Sequence, residues 1–156
     1  IIIDKAIVLE NIYYDFAKWD IRPDAAQELD KLVDILRDNP EISIELSSHT
    51  DSVDTESYNM RLSQRRAESA VDYIVNAGID RSRIVAKGYG ESRPIARNTN
   101  PDGTDNPEGR QKNRRTELKV THIDATKRTT TEEDDTGNDY FNEDKYFEED
   151  DGSSDN

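Results

Sequence analysis

In the segment EISIELSSHT, residues 41–50, Ile42, Ile44 and Leu46 alternate with Glu41, Ser43 and Glu45, and an apolar pattern of a different period follows a few residues later. Alternation with period two marks a strand that buries one face. From Thr55 onward Ala67, Ala70, Val71, Ile74 and Val75 recur at i, i+3, i+4, i+7 and i+8, the stripe of a helix with one buried side. A half-buried strand leading straight into a long amphipathic helix restricts the chain to layered folds, in which the apolar face of a sheet is covered by helices.

The remaining segments extend this pattern. Residues 8–15, within AIVLENIYYDF, are β-branched and aromatic and predict a first strand, bounded by a polar turn at Ala17 to Asp20. A helix opens at Arg22-Pro23 or Asp24, carries Ala25, Leu29, Leu32, Val33, Ile35 and Leu36 at helical spacing, and ends at Asn39-Pro40. The long second helix starts from Thr55 as N-cap, with Glu56 in its first turn, and runs to about Asn76-Ala77 before Gly78. Residues 83–90, RIVAKGYG, read as a third strand whose end is weakened by Gly88 and Gly90. Residues 91–109 are rich in turn formers and read as a long loop, of the kind that is usually functional or mobile. GRQKNR suggests a short helix, and RTELKVTHI, 115–123, a last alternating strand. The order β-α-β-α-β-loop-β predicts an α/β two-layer sandwich, an α+β arrangement with a mixed sheet and helices packed on one face.

Charge divides the chain in two. Residues 121–156 hold 13 Asp and Glu against 3 Lys and Arg, whereas residues 1–120 hold 22 against 18. After Ile123 the sequence has few aliphatic residues and dense carboxylates, too little apolar surface to offset the entropy of ordering. The expected division is a domain over 1–123 and an acidic, disordered tail over 124–156. Its pairs Tyr140-Phe141 and Tyr146-Phe147 read either as a docking motif or as solvated filler. No basic stripe is present for phosphate binding, which argues against a nucleic-acid partner. There is no cysteine, so disulfides and thiolate metal sites are excluded. No apolar run approaches the roughly 20 residues that span a bilayer. A chain that opens at Ile1 without a leader reads as processed or as part of something longer, with any membrane attachment supplied by a segment outside it.

The helical wheel separates the twin arginines of the second helix. Arg65 falls nearly opposite the apolar stripe, while Arg66 falls at its border, about a quarter turn from its centre, on the side of Asn59 and Ser63. Asp51 lies just after the strand, at the sheet end where ligands of open α/β sheets tend to bind. Facing one another, Asp51 and Arg66 would suit a zwitterion, the carboxylate taking an ammonium and the guanidinium fork a carboxylate. An ordinary, partly exposed ion pair worth about 0 to 1 kcal/mol fits the same spacing, and spacing alone does not choose.

Wider motifs bear on that choice. HTD at 49–51, Tyr58-Asn59, Leu62-Ser63, Arg65 to Ala67, GYGES at 88–92, Pro94, Ala96 and Asn98, and GRQKNRR at 109–115 stand in an order that resembles the OmpA-like peptidoglycan-binding domain, the module of OmpA-type outer-membrane proteins, Pal-type lipoproteins and MotB-type stator proteins. NIYYDFAKWDIRPDA resembles the family's first strand and turn, and the resemblance covers about residues 8–121. It implies noncovalent binding of the meso-diaminopimelate of the stem peptide by a periplasmic domain that anchors an outer-membrane protein or lipoprotein to peptidoglycan. Asp51 matches the aspartate that meets the ammonium and Arg66 the arginine that meets the carboxylate. Thr50, Asn59, Leu62, Phe16 and Ala17 match the positions around them. The chain departs from the family at Asp54, where many members have glycine, and at Ala17, where Asp or Asn is frequent; the first requires a turn that accepts a side chain, the second leaves only backbone contacts.

Other chemistries have weaker support. His49 and His122 are the only histidines and lack partners at ligand spacing, so no catalytic zinc site is expected and His49 reads as a strand-end residue near the pocket. No cofactor is called for. Asn98, Asn100 and Asp102 stand as the first ligands of a calcium loop would, but Gly109 occupies the place of its bidentate glutamate, and a plain turn-rich loop is the expectation. The alternatives to a binding module are a cell-wall hydrolase domain, for which no acid/base pair stands out, and an interaction protein acting through its tail.

Overall fold

A computed structural model of the chain describes residues 3–10 and 12–127. Four strands form one mixed sheet: β1 (Ala6–Leu9), β2 (Ile42–His49), β3 (Ile84–Gly90) and β4 (Arg115–Ile123), in the order β1-β4-β2-β3. β4 runs antiparallel to both β1 and β2, and β3 runs parallel to β2. The β2–β3 crossover is the helix α2 (Glu56–Asn76), and α1 (Pro23–Asp38) joins β1 to β2. A third helix, α3 (Pro107–Asn113), precedes β4. Among the described residues no helix is long and apolar enough to cross a membrane.

Alternation along the strands builds the layers. Ile42, Ile44 and Leu46 of β2, Ile84 of β3, and Leu118 and Val120 of β4 are buried against Leu29, Leu32 and Leu36 of α1 and Ala70, Val71 and Ile74 of α2. Each such leucine or isoleucine contributes roughly 1.5–3 kcal/mol by leaving water. The opposite face of the sheet is polar, where Tyr89 donates to Glu45 at 2.7 Å and Lys119 pairs with the same carboxylate. The expected two-layer sandwich is thus present, with α1 and α2 on one face. Helix limits also follow the expected signals: Thr55 accepts from the Tyr58 N–H at the start of α2, and Gly78 adopts φ +110° just beyond its end.

Gly88 has a packing role. A Cβ there would lie 2.2 Å from the Gln64 nitrogen and 2.5 Å from its Cα, so the backbone of α2 rests directly on β3. The Gln64 side chain completes the contact by accepting from the Gly88 N–H at 2.7 Å. What read as a weak strand end is the point of closest approach between the crossover helix and the sheet.

Two boundaries differ from expectation. The first strand occupies Ala6–Leu9, and residues 12–15, expected to continue it, leave the sheet. Ile12 is buried and the Tyr14 hydroxyl donates to the Arg66 carbonyl at 3.0 Å, so their apolar and aromatic character serves a contact with α2. At the other end, Asp124 donates its N–H to the Glu41 carbonyl and Ala125–Lys127 form a 3₁₀ turn, so the described fold continues four residues beyond Ile123. The rest of the expected tail, with both of its Tyr-Phe pairs, lies outside the described residues.

Candidate functional site

A cavity of about 470 Å³ opens where β2 ends, between the segment after β1, the start of α2 and the residues around α3. Its walls include all seven residues expected at a binding site: Phe16, Ala17, Thr50, Asp51, Asn59, Leu62 and Arg66. Arg65 is not among them; it lies exposed with its guanidinium 4.7 Å from the centre of the Trp19 ring. Arg65, opposite the apolar stripe, is thus exposed, and Arg66, at its border, stands in the cavity wall.

Asp51 leaves β2 in a tight turn, with Oδ1 accepting from the Val53 N–H at 3.0 Å. Asn59, one turn into α2, reaches back and donates its amide to the Asp51 carbonyl at 3.2 Å and to Glu91 at 3.3 Å. The Thr50 hydroxyl donates to the Asp51 carbonyl at 2.8 Å, and its N–H to Gly90. Thr50 and Asn59 thus hold the turn that presents the aspartate. Asp54, one of the two departures noted in the sequence, carries no positive φ, so its turn accepts a side chain without strain.

Arg66 is half-buried. Its Nε donates to the Lys18 carbonyl at 2.8 Å and Nη2 to the Asp15 carbonyl at 3.2 Å, while its guanidinium lies 4.9 Å from the centre of the Tyr14 ring. Its partners are carbonyls and a ring, and among the described residues no carboxylate neutralises it. Burial lowers its pKa, with Tyr14 and Tyr58 opposing, so the guanidinium is a partly desolvated cation. Burial also raises the Tyr14 hydroxyl to about 12, against the lowering effect of Arg66, keeping Tyr14 a neutral donor.

Phe16 and Ala17 form the outer wall. The turn Asp15 to Lys18 is closed by the Lys18 N–H on the Asp15 carbonyl at 3.0 Å, and Ala17 sits at its third position with φ +55°. Phe16 is 92% exposed and stands at the rim.

Sequence reasoning missed the far wall, formed by Arg110, Arg114 and Arg115. Arg114 Nη1 bonds Asp51 Oδ2, and Arg110 Nη1 lies 3.7 Å from the same oxygen. Arg110 is also bidentate on Asp105, with both contacts at 2.7 Å. Arg115 is fully engaged, bonding Glu117 and the carbonyls of Asn113 and Arg93. The signal for all three was GRQKNRR, noted as a motif without a role at the site. Four guanidiniums therefore stand around the cavity, but Arg110 and Arg115 are neutralised by Asp105 and Glu117 and Arg114 by Asp51, which leaves Arg66 as the cation without a carboxylate among the described residues.

His49 also lines the cavity and is buried. It stacks on Tyr89 with ring centres 5.2 Å apart, and Nε2 lies 3.0 Å from the Ser47 hydroxyl. Burial and the nearby Arg115 lower its pKa to about 4, only partly opposed by Glu117. The loop from 91 is pinned by Asn113, which is fully buried: its Oδ1 accepts from the N–H groups of Ile95 and Ala96, and its amide donates to the Ala96 carbonyl and to Asn98. Of the residues considered for calcium, Asn98 thus bonds Asn113, Asn100 donates to Thr104 and Asp105, and Asp102 accepts from Thr104. Gly109 lies where a Cβ would come within 1.9 Å of the Arg97 carbonyl oxygen. Among the described residues no group of three or more acidic or histidine side chains is arranged to hold a metal.

A model of the OmpA family matches residues 13–110. Over 111 residues, 71% of this chain, the sequence is 41% identical to 13% of the photosystem I P700 chlorophyll a apoprotein A2 of Gloeobacter violaceus. It is 38% identical over 116 residues to outer membrane protein A of Bordetella avium, covering 74% of this chain and 57% of that one. The chain therefore spans only part of the length of these curated relatives. Among solved structures it is similar to the cell wall anchor of the T6SS from Pseudomonas aeruginosa, with a TM-score of 0.60 and 27% identity over 75% of this chain and 79% of that one.

Proposed function

This chain belongs to the OmpA family, and on that premise we propose that its cavity binds the zwitterionic end of diaminopimelate in the peptidoglycan stem peptide. Asp51 receives the ammonium and Arg66 the carboxylate, in two parallel hydrogen bonds. Binding is noncovalent and holds the cell wall to whatever outer-membrane protein or lipoprotein carries the domain, so the domain works in the periplasm. The solved relative described as a cell wall anchor supports this reading, as do the outer-membrane relatives.

The observation that carries the proposal is the convergence of all seven residues on one cavity, with Arg66 half-buried and unneutralised by any carboxylate among the described residues. A half-buried guanidinium presents its planar fork to a carboxylate with less water competing for it, and the centre of the Tyr14 ring lies 4.9 Å from its central carbon. No covalent step is needed.

The test is calorimetric titration of the domain with a diaminopimelate-containing stem peptide. Asp51→Ala and Arg66→Ala are each expected to weaken binding by about 2 to 5 kcal/mol. Arg65→Ala, which removes a charge one residue away outside the cavity, is expected to leave affinity unchanged. Full affinity in Arg66→Ala refutes the proposal, and release of soluble fragments from purified sacculi would mark a hydrolase instead.

A further inference from the structure

A second hollow of about 400 Å³ adjoins the first, walled in part by Ile12, Tyr13, Ile95, Lys112, Arg114 and the carboxylates Glu10 and Glu108. The two share Ile12, Tyr13, Arg114 and Arg115. Arg115 is fixed by its bonds to Glu117, Asn113 and Arg93. Arg114 differs: its side chain is 46% exposed, and among the described residues its one side-chain partner is Asp51. It is thus a half-exposed cation on the partition between two hollows, held by one charge-assisted bond to the carboxylate that the ligand's ammonium is read to require.

We propose that Arg114 is a moving latch: in the free protein it covers Asp51, and when an ammonium takes Asp51 it turns into the second hollow and binds another carboxylate of the same peptide. The inference rests on the reading of Asp51 and Arg66 given above and extends it to the ligand class. The preferred ligand is a peptide carrying the zwitterion and, beside it, a free carboxylate. Three observations support this. Asp51 Oδ2 is already shared by Arg114 and Arg110, so an incoming ammonium meets an occupied acceptor. Arg110 is anchored by both oxygens of Asp105, leaving Arg114 as the group free to yield. Lys112 lies in the second hollow with Arg114, and together they offset Glu10 and Glu108 of the same wall, so that the arriving carboxylate meets no net negative charge, while Ile12, Tyr13 and Ile95 supply apolar wall for its carbon chain. Asp51 stays satisfied throughout, since the Val53 N–H and Arg110 remain with it.

The experiment compares two synthetic peptides by calorimetry. One carries the free zwitterionic end of diaminopimelate with every other carboxylate ionised; in the other those remaining carboxylates are amides. Wild-type protein is expected to bind the first at least tenfold more tightly. Arg114→Gln is expected to bring this ratio close to one and, by uncovering Asp51, to bind the amidated peptide at least as tightly as wild type. Thermal melting confirms that the variant folds, as expected for a half-exposed side chain. A ratio that Arg114→Gln leaves unchanged, or a wild type without preference, overturns the latch. The underlying site has a separate control: if Arg66→Ala binds both peptides normally, the binding-site reading itself fails, whereas loss of both peptides in Arg66→Ala with an unaltered ratio in Arg114→Gln rejects the latch alone.

Discussion

Ala17 adopts φ +55° at the third position of the turn from Asp15 to Lys18, where Phe16 before it has no positive φ. Turns with a positive φ at that position favour Gly or Asn, because a Cβ crowds the following carbonyl. For an L-residue the left-handed region costs roughly 1–2 kcal/mol. The turn keeps its shape because Arg66 binds both of its ends, through the carbonyls of Asp15 and Lys18. Ala17→Gly removes the crowding but adds freedom to the unfolded chain, which returns about 0.4–1 kcal/mol of the gain. Ala17→Asn tolerates the left-handed conformation without that entropic loss and is the better substitution. It is expected to stabilise the domain by about 0.5–1 kcal/mol, raising Tm by roughly 2–5 °C. Urea unfolding followed by circular dichroism measures this directly. In an Arg66→Ala background the turn is released and relaxes without help, so the gain from Ala17→Asn shrinks, a coupling that a double-mutant cycle reads. If Ala17→Asn and Ala17→Gly both destabilise the domain, the left-handed turn and its clamp by Arg66 are wrong.

Two further outcomes follow from packing and charge. Gly88→Ala forces a Cβ onto the Gln64 backbone, so α2 must lift from β3, and a loss of about 3 kcal/mol in urea unfolding is expected; a cost under about 1 kcal/mol would show that the contact is looser than described. His49 is held near pKa 4 by burial and Arg115, with Arg93 adding to the depression and Glu117 and Glu45 opposing it. The unfolded chain protonates histidine near 6.5, so between about pH 6.5 and 4 it binds the proton that the folded protein refuses, and stability is lost as pH falls through that window. His49→Gln should unfold with a flatter pH profile than wild type there, and parallel profiles would exclude His49 as a source.

What the sequence revealed follows the reach of its periodicities. β2, α1, α2 and β4 were readable because each buries one face at a fixed period, and Arg66 could be told from Arg65 by the same geometry. Residues 12–15 misled because β-branched and aromatic side chains suit a strand and a cavity wall equally well; only the Tyr14 bond to α2 decides between them. Arg110 and Arg114 were not legible as site residues because they lie some sixty positions from Asp51. They reach it only because β4 folds back antiparallel on β2, with His49 opposite Arg115. Asn113 was hidden for a related reason: nothing local marks a polar residue that will be fully buried to hold a loop fifteen or more residues upstream.

The place of β1 in the sheet bears on how such a domain carries tension. The cavity wall at Ile12 to Ala17 follows β1 almost directly, and β1 is an edge strand joined to the rest of the sheet by the four pairings from Ala6 to Leu9 with β4. Force applied between a captive ligand and the chain before β1 would enter the fold at that short ladder, with the helical layer off the direct line. That seam would bear the load first, and the bonds that tie the segment after β1 to α2, from Tyr14 to the Arg66 carbonyl and from the Arg66 guanidinium to the Asp15 and Lys18 carbonyls, would share it.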